Sequence, residues 1–230
     1  MDTWTTTSST AAAERVSAFL WKVYAWMALG LGLTAAVAYI VSGSPDILRA
    51  LVLNRLVFFG LIIAELGLVF VISATAARLA PSTAAGLFVL YSGLNGVTLS
   101  VVLIAYTGES VTTTFVVTAG MFGALAFFGA TTRRSLAGVG QFMMMGLIGL
   151  ILASVVGLFW HNDALQFLIS VVGVIVFTGL TAYDAQRLKQ MAFQLPEGQL
   201  AGYAIVGALS LYLDFINLFL MLLRLTGRRD

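Results

Sequence analysis

The chain has no cysteine, one histidine, three prolines and few charges. Without cysteine there is no disulfide framework, no thiolate metal site and no cysteine nucleophile. The single histidine, His161, lies beside Asn162 and Asp163 between two apolar stretches, where a solvated loop histidine accounts for it better than a metal ligand. Charged residues make up 10% of the 230 positions, against roughly 25% in an average soluble domain. The twelve basic residues exceed the ten acidic ones by two and are scattered between the apolar stretches, so no patch for a nucleic-acid partner forms. The only lysines, Lys22 and Lys189, lie outside the last apolar stretch, which excludes a retinal pump. No Ser/His/Asp set can be assembled within the membrane, so neither enzyme activity nor a cofactor is expected.

What fills the chain instead is hydrophobic: 60% of residues, with a mean hydropathy of +1.00. The composition is that of an all-α integral membrane protein. Seven apolar stretches can be drawn, near 19–41, 56–77, 84–106, 112–131, 139–160, 164–185 and 201–223. Each is long enough to span a bilayer as a helix. Pro45, Pro81 and Pro196 all fall between stretches, where helix breakers belong. Residues 1–18 are small and polar, rich in Thr and Ser, and read as a mobile cytoplasmic tail. They lack the basic region and short apolar core of a signal peptide, so the first helix is expected to act as its own insertion signal. Residues 19–230 then form a single transmembrane domain. No internal repeat supports an inverted-repeat transporter.

Basic residues set the expected orientation. Arg15, Lys22, Arg78, Arg133, Arg134, Arg187 and Lys189 flank the tail and the second, fourth and sixth connections. Only Arg49 and Arg55 occupy the first, third and fifth. This places the N-terminus in the cytoplasm. Seven spans put the C-terminus outside, although Arg224, Arg228 and Arg229 oppose that placement. Either the first six helices decide, or the last segment enters and returns; its full length favours a span. Two rows of small residues at four-residue spacing, Ser92-Gly96-Ser100 and Gly149-Ala153-Gly157, read as helix-packing faces.

Three acids fall within the apolar stretches: Glu65, Asp184 and Asp214. A charge at that depth is costly, so an acid there faces a protein interior and is a functional candidate. Asp214 lies in the middle of the last stretch. Gly207, Ser210, Asp214 and Asn217 share one helix face there, and the rest is Leu, Ile, Phe and Met. Asp184 closes the sixth stretch three residues before Arg187, where a helix-surface ion pair competes with a functional role. Glu65 is about ten residues into the second stretch, where a protonated acid held by hydrogen bonds competes equally. Two buried carboxyls close together share their proton losses, so such a pair can sense pH. Oxygen ligands of this kind also suit hard cations such as Ca²⁺.

The segments Gly179-Leu180-Thr181-Ala182-Tyr183-Asp184-Ala185-Gln186 and Gly207-Ala208-Leu209-Ser210-Leu211-Tyr212-Leu213-Asp214-Phe215-Ile216-Asn217-Leu218-Phe219 resemble the two signature segments of the Bax inhibitor-1 family. Thr114–Gly123 in the fourth stretch adds to the likeness, which covers nearly the whole chain from the first stretch onward and is closest to the bacterial inner-membrane branch. The resemblance implies a seven-helix bundle with the last helix central. It also implies a hydrogen-bonded aspartate pair, Asp184 and Asp214, that gates a pH-sensitive Ca²⁺ leak. Glu65 matches an acid that family members carry in the second helix. Arg78 is the nearest candidate for a second-helix arginine that contacts the pair in some members, with a poor match in position. Ser210 and Asn217 would support the path. Depth sits awkwardly with pairing: Asp184 ends its stretch, whereas Asp214 is about 13 residues, or roughly 20 Å, into its own. They can meet only if the last helix starts deep, breaks or tilts, or if the sixth continues past Asp184. Alternatives to the leak are a transporter of a small metabolite or anion, and a non-transporting regulator of a membrane protease or translocase.

Overall fold

A computed structural model describes residues 3–75, 79–160 and 162–228. Arg78 and His161 lie outside the described residues. The elements are α1 (Thr3–Ser42), α2 (Pro45–Leu53), α3 (Arg55–Ala74), α4 (Pro81–Leu103), α5 (Gly108–Thr131), α6 (Ala137–Phe159), α7 (Asp163–Gln194) and α8 (Leu200–Thr226), with one 3-10 turn at Glu197–Gln199. Among the described residues there is no strand. All but α2 contain a segment long and apolar enough to cross a membrane, so the chain is an all-α, seven-span membrane protein.

Local sequence explains the helix ends. Pro45 and Pro81 occupy the first position of α2 and α4, where the missing N–H would be unpaired anyway. Asn54 caps α3 by accepting from the N–H groups of Leu56 and Val57, and Thr107 caps α5 by accepting from Ser110 N. The short helix α2 was not anticipated. It occupies the connection between the first two spans and exposes Ile47, Val52 and Leu53.

Two boundaries differ from expectation. The segment read as a mobile tail is helical from Thr3. Ala11, Ala12 and Ala13 lead into Glu14 and Arg15, all strong helix formers, and Val16 and Phe19 are buried. The sixth span does not stop at Asp184 either. Helix α7 continues to Gln194, because Leu188 and Ala192 are buried and residues 186–194 contain no helix breaker.

The chain divides into two compact units, residues 1–105 with 188–212 and residues 106–187 with 213–230. In the first, α1 packs along α4, and α4 beside α3. Gly96 allows close approach: a Cβ there would lie 2.7 Å from the Thr34 carbonyl oxygen of α1. Ser92 and Ser100 on the same row are fully buried, so this row is a packing face as expected. The Arg15 guanidinium donates to the Leu195 carbonyl, which ties α1 to the connection before α8.

In the second unit, Leu150 of α6, Ile169, Val176, Phe177 and Leu180 of α7, and Leu218 and Met221 of α8 form one core. The row Gly149-Ala153-Gly157 is a packing face at Ala153, which packs against that core, and at Gly157, but not at Gly149. Gly157 meets Gln166 of α7, whereas Gly149 has nothing within 4 Å and lies between the exposed Ile148 and Ile151. Beyond α8, Thr107 N–H donates to the Arg228 carbonyl at 3.0 Å and Arg228 N–H donates to Ser110 Oγ at 3.0 Å. The end of α8 is thus fastened beside the start of α5.

Helix α8 is uninterrupted over 27 residues, or about 40 Å. A last segment that enters and returns is therefore corrected to a single long helix. It is also the most enclosed of the seven: 67% of its most apolar window is buried, against 11% for α3 and α6. That enclosure is what a central last helix requires.

Candidate functional site

Asp184 and Asp214 both lie in the second unit. Asp184 is 8% exposed and Asp214 is 6% exposed. The two carboxyls are close enough for Asp184 to act electrostatically on Asp214. Oδ2 of Asp214 is buried and has no hydrogen-bond partner. An acceptor left unpaired in a buried site costs roughly 1–3 kcal/mol, so this oxygen is a place where a proton or a cation would be stabilised. Asp184 is buried, whereas Arg187 three residues on is exposed.

The extension of α7 removes the conflict of depth. Ten residues of helix separate Asp184 from Gln194, and fourteen separate Leu200 from Asp214. Along antiparallel neighbours the remaining offset is about four residues, or roughly 6 Å. Of the four ways in which the two could meet, continuation of the sixth span is present and a break in the last helix is not.

Three contacts hold the α7 turn that carries Asp184, all within the second unit. Gly129 of α5 has no room for a Cβ against the Ala182 carbonyl, and Gly140 of α6 has none against the Tyr183 ring. Gln186 reaches the connection between α5 and α6. Its Oε1 accepts from Leu136 N–H at 2.8 Å, and its Nε2 donates to the Arg134 carbonyl at 2.9 Å. Gln186 was quoted in the signature segment without a role. Its distinguishing signal is an amide two residues from an acid within the same apolar helix. On the other helix, Phe215 and Phe219 of α8 meet Phe115 of α5 edge-on, and Phe215 also meets Phe122.

Glu65 belongs to a separate polar cluster in the first unit. It is 8% exposed. Its Oε2 accepts from Asn95 Nδ2 at 3.1 Å and its Oε1 from Thr98 Oγ1 at 2.5 Å. Asn95 Oδ1 in turn accepts from the Tyr212 hydroxyl at 3.0 Å. Thr34 Oγ1 lies 2.7 Å from that hydroxyl and donates to the Ser92 carbonyl at 2.8 Å. Four helices, α1, α3, α4 and α8, therefore contribute to one satisfied network. Asn95, Thr98, Tyr212 and Thr34 were missed in the sequence. The available signal was Asn95, a lone amide within an apolar stretch and three residues from Thr98.

The remaining candidates play smaller parts. Asn217 turns its Nδ2 back onto its own helix, donating to the Leu213 carbonyl at 2.8 Å. Ser210 is half-buried and falls in the first unit, so the face Gly207, Ser210, Asp214, Asn217 divides between the two units. Among the described residues no group of three or more His, Cys, Asp or Glu could hold a metal ion. Calcium takes six to eight oxygens, and two aspartates alone make a poor resident site for it.

The family described as "Inhibitor of apoptosis-promoting Bax1" matches residues 16–230. The chain is 50% identical over 214 residues to the inner membrane protein YbhL of Escherichia coli K12, covering 92% of each chain. Proteins of Borreliella burgdorferi and Deinococcus radiodurans are 43% and 42% identical over 213 and 218 residues, covering 92% and 94% of this chain and 92% and 93% of theirs. With the signature segments, the seven spans and this extent of similarity in hand, the chain belongs to the Bax inhibitor-1 family of multi-pass membrane proteins.

Proposed function

We propose that this protein is a passive, pH-sensitive Ca²⁺ pathway of the bacterial inner membrane, gated at Asp184 and Asp214. The observation that carries the reading is the burial of both carboxyls within electrostatic reach of one another, with one oxygen of Asp214 unpaired. When the pair shares a proton, the two side chains can stay in contact. When both ionise at higher pH, two like charges in a medium of low dielectric repel. The contact then opens and α8 shifts against α7. A divalent cation passing between the ionised carboxylates would neutralise that repulsion. Calcium is cargo in this reading, and the chain performs no catalytic step. The N-terminus is cytoplasmic, and the membrane is the one named for the Escherichia coli relative.

The test is Ca²⁺ entry into liposomes holding the purified protein between about pH 6 and 8, a window that a buried, coupled carboxyl pair can reach. Flux should rise with pH in the native protein, and Asp184→Asn and Asp214→Asn should each abolish that dependence. No flux above protein-free liposomes at any pH overturns the reading. Proton movement that requires an added metabolite would mark a coupled transporter in its place.

A further inference from the structure

We propose that Gln186 is the positioning residue of the aspartate pair: by bonding the backbone of the α5–α6 connection it fixes the α7 turn that presents Asp184 to Asp214. The inference rests on the pair being the gate, and it adds what holds the α7 side of that gate.

Three features carry it. First, both ends of the Gln186 amide are used on backbone atoms of a single connection, Leu136 N–H and the Arg134 carbonyl. The side chain is buried, and losing its buried bond to Leu136 N–H leaves a buried donor unsatisfied. Second, α6 lacks a side-chain cap from its own Leu136. Gln186 supplies an acceptor to the N-terminus of that helix, so the bond serves α6 and α7 together. Third, two helix–helix contacts with no room for a Cβ, Gly129 against Ala182 and Gly140 against Tyr183, fall on the two residues just before Asp184. Close backbone approach of this kind has one fitting geometry.

The α8 side differs. Within the second unit, Phe215 beside Asp214 meets α5 through phenylalanine edges, and α8 is hydrogen-bonded instead at Tyr212, in the first unit. The Gln186 bonds and the close glycine contacts thus hold α7 around its aspartate.

The charged groups around this turn within the second unit are Asp214 on α8, Arg133 and Arg134 in the connection, and Arg187 on α7 itself. Helix α6 has no charged residue, and α5 has only Glu109, in its first turn. Gln186 is uncharged. Its replacement by an apolar side chain therefore changes geometry without adding or removing charge.

The absence of native cysteine makes a positional test clean. Asp184→Cys with Asp214→Cys reports the gate. Gly173→Cys with Met221→Cys, a close α7–α8 contact elsewhere in the same unit, reports general packing. Each pair is oxidised with copper phenanthroline in detergent, with native Gln186 and with Gln186→Met. The expected result is cross-linking of both pairs in the native background. Gln186→Met should slow the gate pair about tenfold or more, the scale of a lost buried hydrogen bond, and leave the reference pair unchanged. In the aspartate-containing protein, Gln186→Met should displace the pH profile of Ca²⁺ flux.

An unchanged gate-pair rate overturns the proposal, and so does equal slowing of both pairs, which would make Gln186 a general packing residue. A slowed gate pair with an unmoved flux profile also overturns it. If the native protein passes no Ca²⁺, the leak reading fails, and the cross-linking rates alone decide the position of Asp184. No cross-link at the gate pair with native Gln186 would overturn the pairing itself. Should Gln186→Met not fold, Gln186→Asn, which keeps the amide but shortens its reach, takes its place with the same outcomes.

Discussion

The acids of this protein are held in opposite ways. Both oxygens of Glu65 are occupied by donors, and the network closes through Asn95 and Tyr212 to Thr34. Asp214 keeps one oxygen unpaired. A satisfied buried network stabilises, and a partly satisfied one is poised to bind or to move. Tyr212→Phe tests the first half of that contrast. The ring would remain packed edge-on against Phe88 and Tyr91, while Asn95 Oδ1 would lose its donor. The expected cost is roughly 1–3 kcal/mol, read as a lower thermal midpoint in detergent, with the pH dependence of flux retained. A midpoint equal to that of the native protein would show that the network contributes nothing to folding. The acids themselves were legible, because a carboxyl in an apolar stretch stands out against its neighbours. Their partners were not. Asn95, Thr98 and Thr34 are ordinary among small residues, and only the packing of four helices brings them to Glu65.

Between helices, glycines are not equivalent. Gly96 lies against the Thr34 carbonyl and the Val37 side chain, whereas Gly93, one turn earlier on α4, has nothing within 4 Å. Gly96→Val should force α1 and α4 apart and cost about 1–3 kcal/mol, as overpacking does. Gly93→Ala should be neutral, or stabilising by up to about 1 kcal/mol, because alanine is the better helix former. Thermal midpoints of the two variants decide this, and similar losses in both would refute the assignment. The row containing Gly96 could be read from spacing. The row at Gly149 could not, because spacing reports which residues share a face and not whether a neighbour lies on it. The length of α7 escaped for a related reason. Gln186, Arg187, Lys189 and Gln190 end the apolar run, yet one side of that polar segment, through Leu188 and Ala192, is buried.

At the scale of the whole chain, seven spans and their order were legible from hydropathy, and orientation is the property that charge alone leaves nearly balanced. Seven bases fall on the side of the tail; Arg49, Arg55, Arg224, Arg228 and Arg229 would make five on the other. The hydrogen bonds beyond α8 give a structural argument that the count does not. Arg228 is bonded to Thr107 and Ser110, at the start of α5, and the four spans α5 to α8 lie between that point and the end of α8. At the opposite end of α8, Leu195 is bonded by Arg15, near the start of the spanning part of α1. An odd number of crossings therefore separates the start of α1 from the end of α8. In the proposed orientation, charge near the first helices sets the direction, because the first helix usually dominates orientation. Single cysteines in this cysteine-free chain should divide accordingly when intact cells are treated with a membrane-impermeant maleimide. Ser110→Cys and Arg228→Cys should react from outside, and Arg133→Cys only after the membrane is opened. Labelling of Arg133→Cys in intact cells would invert the protein, and opposite behaviour of Ser110→Cys and Arg228→Cys would break the seven-span path.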